Sequence, residues 1–332
     1  MMSLPRRSPP ACRMRWIAAV ASSLMTGAAL AQSALSLGVP RSPLSLPLFI
    51  AESEGMFEDA GLRVNIAECP TGQRCMKMVL DGSADVATVG DTPIVFNSFS
   101  SSDFVVIGTI ASTPGDLKLI VRRDSGISSP AGLAGHKIGI VSGSTSQYFL
   151  DSFLLTHGID PALVTTVPMQ PDAMLDALQS RRVDGVSVWE PFGYRITGAM
   201  RSGVLLLPTE GIYSVTFNLV AHRRMVGARD ADLSRLLRAV ERAEQFIQAQ
   251  PERAKSILRR RLGTDDAFVQ WVWPQQLFRL SLDQSLLKTL ESEARWALRE
   301  GHVSGRATPN FLSLFHRAPL TAVNPSAVGI SR

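Results

Sequence analysis

A Gly-Ser-Thr turn is the segment of this sequence best suited to bind a charged small molecule. Gly143, Ser144 and Thr145 stand between a predicted strand and a predicted helix. Glycine permits close approach of the backbone, the two hydroxyls can donate hydrogen bonds, and a helix start offers free N–H groups with a partial positive charge. The turn could bind an anion, or its Ser and Thr could simply cap the helix. The residues alone leave both interpretations open.

Two acidic residues follow two other predicted strands. Asp91 and Thr92 lie in a Gly-Asp-Thr-Pro segment, and Trp189 and Glu190 lie in a Trp-Glu-Pro segment. Each carboxylate could stabilise the start of the helix behind it or bind a cationic group of a ligand, and for Asp91 the capping role is favoured. Trp189 could form an apolar wall for a ligand or pack between lobes.

Patterns typical of catalysis or of a metal site are missing from the sequence. It contains no G-x-S-x-G, H-E-x-x-H, P-loop or G-x-G-x-x-G segment. Its histidines are scattered, and no second pair of cysteines accompanies the one described below. We therefore predict a protein that is not an enzyme and that holds neither a metal nor a cofactor.

The first 31 residues have the order of a secretory signal peptide. Four arginines, among them the pair Arg6-Arg7, precede a mostly apolar run over 16–30 that ends in the small-residue site Ala29-Leu30-Ala31. The run is shorter than the roughly 20 residues that span a bilayer, which argues against a membrane anchor. We predict cleavage of residues 1–31 and a periplasmic location. Whether Arg6-Arg7 marks twin-arginine export stays open.

The charge of the predicted mature chain is nearly balanced. The full sequence carries a formal net charge of +5, but residues 1–31 hold four arginines and no acidic residue. Without them, 30 basic residues stand against 29 acidic ones. The excess of positive charge that would indicate nucleic-acid binding is therefore absent from the mature sequence.

Two cysteines of the mature sequence, Cys69 and Cys75, enclose a short loop. Because an exported protein meets oxidising conditions, a disulfide between them is predicted, with two unrelated thiols as the alternative. The bond would contribute about 2 kcal/mol to stability by the chain-entropy model.

Short β-like runs alternate with amphipathic helical stretches, which predicts an α/β fold with largely parallel strands. We predict one helix over 48–60 that ends at Gly61, and an almost wholly helical tail over 230–301 with breaks near Gly263 and Pro274. Residues 80–93 and 178–191 share one pattern, in which a helix end and an Asp precede a buried strand, an acidic residue and a Pro. This quasi-repeat indicates two related lobes.

The mature sequence resembles the substrate-binding proteins of ABC-type importers for nitrate, sulfonate and taurine, a family related to thiamine-pyrimidine precursor proteins. The similarity runs through nearly the whole mature chain, and the order of its segments is specific. The segments are 47–57, 61–64, 82–86, 90–93, 133–139, 143–145 and 183–192.

The resemblance implies a two-lobed periplasmic-binding-protein fold of the second type, with two crossover strands as the hinge. Lobe 1 would hold 32–122 and 215–332, and lobe 2 would hold 123–214. The crossover strands would be 117–123 and 215–222. We expect a monomer.

The resemblance also implies a ligand site between the lobes. An acidic head group would bind at the helix start that carries Ser144 and Thr145, opposite the loops of 42–46 and 91–92, with the segment of Trp189 and Glu190 on the other side. Many relatives carry His or another residue where this chain has Gln147, so the identity of the ligand stays open. The predicted ligand-binding residues are Ser42, Leu44, Asp91, Thr92, Gly143, Ser144, Thr145, Gln147, Trp189 and Glu190.

The function implied is that of the periplasmic component of an ABC importer, which captures a small anionic solute such as a sulfonate, taurine or nitrate by hinge closure. Its partners would be a permease and an ATPase, with no nucleic acid. The alternatives are a same-fold enzyme of pyrimidine or menaquinone biosynthesis and a receptor for a sensor kinase. Such enzymes are cytosolic, and the cysteine-rich motif of the pyrimidine synthases is missing here, so the signal peptide and the sequence favour the importer.

Overall fold

The computed structural model describes residues 1–4, 33–305 and 307–330. Apart from residues 1–4, which form neither helix nor strand, the predicted signal peptide lies outside the described residues. Within the described ranges, no helix is both long enough and apolar enough to cross a membrane.

Eleven strands of the described chain form two separate sheets. The strands are β1 (Ser33–Pro40), β2 (Leu62–Cys69), β3 (Val86–Gly90), β4 (Phe104–Thr113), β5 (Lys118–Arg122), β6 (Lys137–Ile140), β7 (Thr165–Pro168), β8 (Gly185–Val188), β9 (Val204–Leu206), β10 (Val215–His222) and β11 (Leu277–Ser281). The first sheet has the order β11-β4-β10-β3-β1-β2, and the second has the order β7-β6-β8-β5-β9.

Twelve α-helices of the described chain pack around these sheets, joined in places by short 3₁₀ turns. The helices are α1 (Leu46–Ser53), α2 (Met56–Asp59), α3 (Gly72–Leu80), α4 (Asp91–Ser98), α5 (Thr145–Thr156), α6 (Met174–Gln179), α7 (Phe192–Met200), α8 (Asp230–Ala249), α9 (Pro251–Leu262), α10 (Asp266–Val272), α11 (Gln284–Arg299) and α12 (Ala318–Val323).

Parallel strands at the centre of each sheet direct several loops to one edge. Strand β1 pairs in parallel with β2 and β3, and β6 pairs in parallel with β7 and β8. All five residues of β3 are buried, as expected for a strand with neighbours on both sides and helices on its faces. The segments that follow β1, β2 and β3 therefore emerge at the same edge of the first sheet.

Each sheet is mixed rather than largely parallel, which corrects the sequence-based expectation. Strand β10 is antiparallel to both β3 and β4, and β5 is antiparallel to both β8 and β9. Parallel pairing needs a long crossover connection, whereas β5 and β10 each follow a short passage from the other sheet. Strand β5 pairs only within the second sheet and β10 only within the first, so the chain changes sheets over 114–117 and 207–214. Neither of the two predicted crossover strands itself pairs in both sheets.

Two helical predictions also differ from the structure. The helix predicted over 48–60 is broken into α1 and α2 at Gly55, whose φ of +68° lies in the left-handed region that glycine tolerates. The tail predicted as helical contains β11, which pairs antiparallel with β4 at the edge of the first sheet. An exposed strand edge can recruit such a short segment whatever its local helical preference.

Candidate functional site

A cavity of about 380 Å³ lies between residues of the two sheets. Its wall includes the residues that follow β1, β2 and β3 of the first sheet and those that follow β6 and β8 of the second. Ligands of α/β proteins bind at such carboxyl ends of strands, and the volume suits a small molecule. This cavity is therefore the candidate site.

The start of α5 contributes both Ser144 and Thr145 to the cavity wall. The Ser144 hydroxyl donates to the carbonyl of Val141 at 2.6 Å and accepts from the amide of Ser146 at 3.2 Å, so it caps the helix. Thr145 is 9% exposed, and its hydroxyl makes no hydrogen bond within the described part of the chain. The Thr145 hydroxyl is thus free to meet an anionic group at the positive end of α5, where Ser144 already accepts from the amides of the next residues, 146–148.

The first sheet approaches the α5 start from the opposite side of the cavity. Gln73, in the first turn of α3, donates from Nε2 to the carbonyls of Ser142 and Gly143, both at 3.1 Å. Gly143 has a φ of +65°, and a Cβ at this position would lie 3.0 Å from that same Nε2. Only glycine allows both the left-handed turn and this approach without strain.

Asp91 is fully buried at the start of α4, and both of its carboxylate oxygens accept hydrogen bonds from the protein. Its Oδ1 accepts from the Thr92 amide at 2.9 Å and from the Tyr213 hydroxyl. Its Oδ2 accepts from the amide and the hydroxyl of Thr216 at 3.0 and 3.1 Å. Burial raises the pKa of Asp91, and these bonds oppose the rise. The carboxylate is an internal anchor and does not line the cavity.

Glu190 faces α10 and the start of α7 rather than the cavity. Its Oε1 accepts from the indole N–H of Trp271 at 2.7 Å, and its Oε2 accepts from the amide of Tyr194 at 2.8 Å. The ammonium of Lys118 lies 3.9 Å from Oε1. Burial raises the pKa of Glu190, and the Trp271 bond is the leading contact that opposes it. The adjacent Trp189 does line the cavity.

The cavity brings together half of the ten residues predicted for the site. The five that line it are Ser42, Leu44, Ser144, Thr145 and Trp189. The five that do not are Asp91, Thr92, Gly143, Gln147 and Glu190. Gln147 instead accepts from the Gly143 amide at 2.8 Å, so its side chain closes the turn before α5.

Several charged residues of the cavity wall were not predicted from the sequence. They are Arg41, Glu68, Asp116, Asp172 and Arg195. No motif in the sequence marked these residues as part of a site. Asp116 occupies the passage between β4 and β5, where the identity of the residue does not reveal that it is buried.

A disulfide between Cys69 and Cys75 borders the cavity, with the two Cα atoms 5.6 Å apart. Cys69 ends β2 and Cys75 lies in α3. Residues 70–73 of the loop that the bond encloses line the cavity together with Cys69.

Within the described ranges, no group of three or more His, Cys, Asp or Glu side chains is placed to hold a metal ion.

A family model described as "NMT1/THI5 like" matches residues 42–254, which is more than half of the chain. The chain belongs to this family. The match spans the segments that carry Ser42, Asp91, Ser144 and Glu190, and it confirms the resemblance expected from the sequence.

Two relatives share the name "Putative aliphatic sulfonates-binding protein". The one from Bacillus subtilis is 32% identical over 181 residues, which cover 52% of this chain and 54% of the relative. The one from Escherichia coli is 25% identical over 248 residues, which cover 73% of this chain and 76% of the relative. The match thus spans about half the length of the first relative and three quarters of the second.

Solved structures establish the periplasmic-binding-protein fold. The alkanesulfonate-binding protein SsuA of Xanthomonas axonopodis, solved bound to MOPS, superposes with a TM-score of 0.76 at 19% identity and covers 86% of this chain and 98% of its own. The desulfurization enzyme DszB superposes with a TM-score of 0.63 at 16% identity, over 89% and 99% of the two chains. The predicted α/β fold is confirmed, and this fold carries both binding proteins and an enzyme.

Proposed function

We propose that this chain is the periplasmic substrate-binding component of an ABC importer and that it captures a small anionic solute, such as a sulfonate. The observation that carries the proposal is the start of α5, where the Thr145 hydroxyl, which has no protein partner, and a helix N-terminus face a cavity between two sheets. The names of the sulfonate-binding relatives supply the class of anion.

Ligand capture proceeds by closure of two lobes. The sequence predicts 32–122 and 215–332 for lobe 1 and 123–214 for lobe 2. We assign 118–122 to lobe 2 instead, and the pairing of β5 within the second sheet supports this assignment. The hinge lies where the chain changes sheets, over 114–117 and 207–214. A ligand that touches both lobes binds the closed form more tightly and shifts the population toward it.

Three side-chain contacts support this mechanism, because each joins a residue of lobe 1 to a residue of lobe 2. Gln73 donates to the turn before α5, Trp271 of α10 donates to Glu190, and the Tyr194 hydroxyl of α7 donates to Asp265 at 3.1 Å. Opening the lobes would break all three contacts, and closing around a ligand would restore them. The closed form then presents one surface to a permease, whose ATPase drives import.

We infer a binding protein rather than an enzyme. The fold alone does not distinguish the two, since DszB shares it. The inference is supported by the relatives, two of which are named as sulfonate-binding proteins. Asp91 and Glu190 are engaged by protein groups and do not line the cavity. A sensor-kinase receptor would use the same cavity, and the partner that binds the closed form separates it from an importer component.

A thermal-shift assay of the mature protein tests the proposal against sulfonates, aminosulfonates, nitrate, aromatic carboxylates and pyrimidine precursors. A ligand at about 100 times its dissociation constant adds about 2.7 kcal/mol of stability, which is readily detected. We expect a stabilising acid among these candidates. A response to pyrimidines alone, or turnover of a candidate without stabilisation, would contradict the proposal.

The variant Thr145→Ala is expected to bind the stabilising acid about 10-fold or more weakly, because it loses a hydrogen bond to a charged group. Isothermal titration calorimetry measures the change. Thr156→Ala is the matched control, since Thr156 ends the same helix and its hydroxyl donates to the carbonyl of Ser152. If the two variants bind the acid with equal affinity, the acid does not contact Thr145 at the start of α5.

A further inference from the structure

One carboxylate of the cavity wall has an oxygen whose hydrogen bonding is incomplete. Asp116 lies between β4 and β5, is 5% exposed and lines the cavity. Its Oδ1 is buried and has no hydrogen-bond partner among the described residues. A buried acceptor without a partner destabilises the folded protein, and the cost rises when the group is charged. The site therefore gains if something entering the cavity donates a hydrogen bond to Asp116.

The charges near Asp116 do not cancel. Glu190 and Asp116 are two buried carboxylates, and Lys118 is the cation beside them. The Lys118 ammonium donates to the carbonyl of Gly115 at 2.6 Å and lies 3.9 Å from Glu190 Oε1. Two acids and one ammonium leave this corner of the cavity with one negative charge or one bound proton. Burial and the charge of Glu190 raise the pKa of Asp116, which reflects the same imbalance.

The cavity wall thus offers two kinds of recognition. The start of α5 and the Thr145 hydroxyl suit an anionic head group. Asp116 suits a group that donates hydrogen bonds. A positive charge on that group would neutralise the negative charge left by Asp116, Glu190 and Lys118 together. A single ligand that satisfies both must carry an acid at one end and an amine at the other.

We propose that Asp116 binds the ammonium group of a zwitterionic ligand, an aminosulfonate or an amino acid with its amine remote from the acid, and that it selects such ligands over acids of the same shape that lack the amine. This proposal rests on the proposed function, because it assumes that the cavity captures a small anionic solute. A ligand without the amine would leave the carboxylate desolvated and unpaired.

The test uses pairs of ligands that differ only by an ammonium in place of a methyl group. Taurine is compared with propane-1-sulfonate, and β-alanine with butanoate, by isothermal titration calorimetry on the mature protein. The wild type should prefer the amine of at least one pair by about 10- to 100-fold, the range for a hydrogen bond to a charged group. In Asp116→Asn the preference should fall to within about 3-fold, because the amide carries no charge.

Asp176→Asn is the matched control, because Asp176 lies exposed on α6 and does not line the cavity. It removes the same charge and should keep the preference. Equal binding of both members of each pair by the wild type, or an unchanged preference in Asp116→Asn, overturns the role of Asp116 while a captured acid still supports the proposed function. If the wild type binds none of the four acids, the proposed role of Asp116 fails, and the wider thermal-shift panel decides the proposed function separately.

Discussion

Replacement of Asp116 by Asn is expected to stabilise the unliganded protein at neutral and alkaline pH but not near pH 4. Burial raises the pKa of Asp116 from 3.8 to about 7, the charge of Glu190 adds to the rise, and Lys118 and the amide of Glu190 oppose it. Between these two values the folded protein keeps a proton that the unfolded chain has released. The Asp116 carboxyl alone therefore lowers the free energy of unfolding by about 1.4 kcal/mol per pH unit as the pH rises through this window.

The stability difference between Asp116→Asn and the wild type should start near zero at about pH 4 and reach about 4 kcal/mol above pH 7. Urea unfolding across this range measures it. Asp91 and Glu293 also have raised pKa values because they are buried, but they are present in both proteins and cancel in the difference. A difference that does not vary with pH would show that Asp116 titrates as an exposed carboxylate does. The exposed substitution Asp176→Asn should give no such rise.

Removal of the Asp91 side chain is expected to destabilise the protein strongly and to change ligand selectivity little. Asp91→Ala leaves the amides of Thr92 and Thr216 without their acceptor and leaves the Tyr213 hydroxyl with only Glu293 Oε1, at 3.3 Å. Losing one partner of a buried charged network costs about 3–5 kcal/mol. Urea unfolding gives the loss of stability, and calorimetry at a temperature where the variant is folded gives the affinity.

The control for this prediction is Asp81→Ala. Asp81 also accepts two hydrogen bonds, from the amide and the hydroxyl of Ser83, but on an exposed turn. Its replacement should cost much less stability than that of Asp91, because water replaces the lost acceptor. A stable Asp91→Ala variant that no longer binds the ligand would instead make Asp91 a ligand contact.

The features that depend on local sequence were predictable. Ser144 is a good helix cap, Gly143 allows a left-handed turn, and the alternation of apolar runs indicated an α/β fold. Each of these signals lies within a few residues of the cap, turn or strand that it specifies. The position of the α5 start at the cavity follows in turn, because it comes at the carboxyl end of a parallel strand.

The features that depend on distant partners were not predictable. Asp91 and Glu190 were recognised as helix-start acids, but their orientation is set by Tyr213 and Trp271, which are 122 and 81 positions away in the chain. Strand β11 forms because the edge of β4 is available to pair with it. The sequence of β11 itself carries no information about that partner. No motif marks Asp116, because its expected role comes from its burial beside the cavity, and the local sequence does not reveal that burial.

The disulfide between Cys69 and Cys75 ties completion of the cavity to the redox conditions around the protein. The bond encloses a loop that forms part of the cavity wall, so a reduced chain lacks the stability that this cross-link adds to the fold. In a reducing cytosol the thiols stay free, and after export to an oxidising compartment they pair. On the export that we propose, this part of the cavity wall would be cross-linked only in the compartment from which the protein collects its solute.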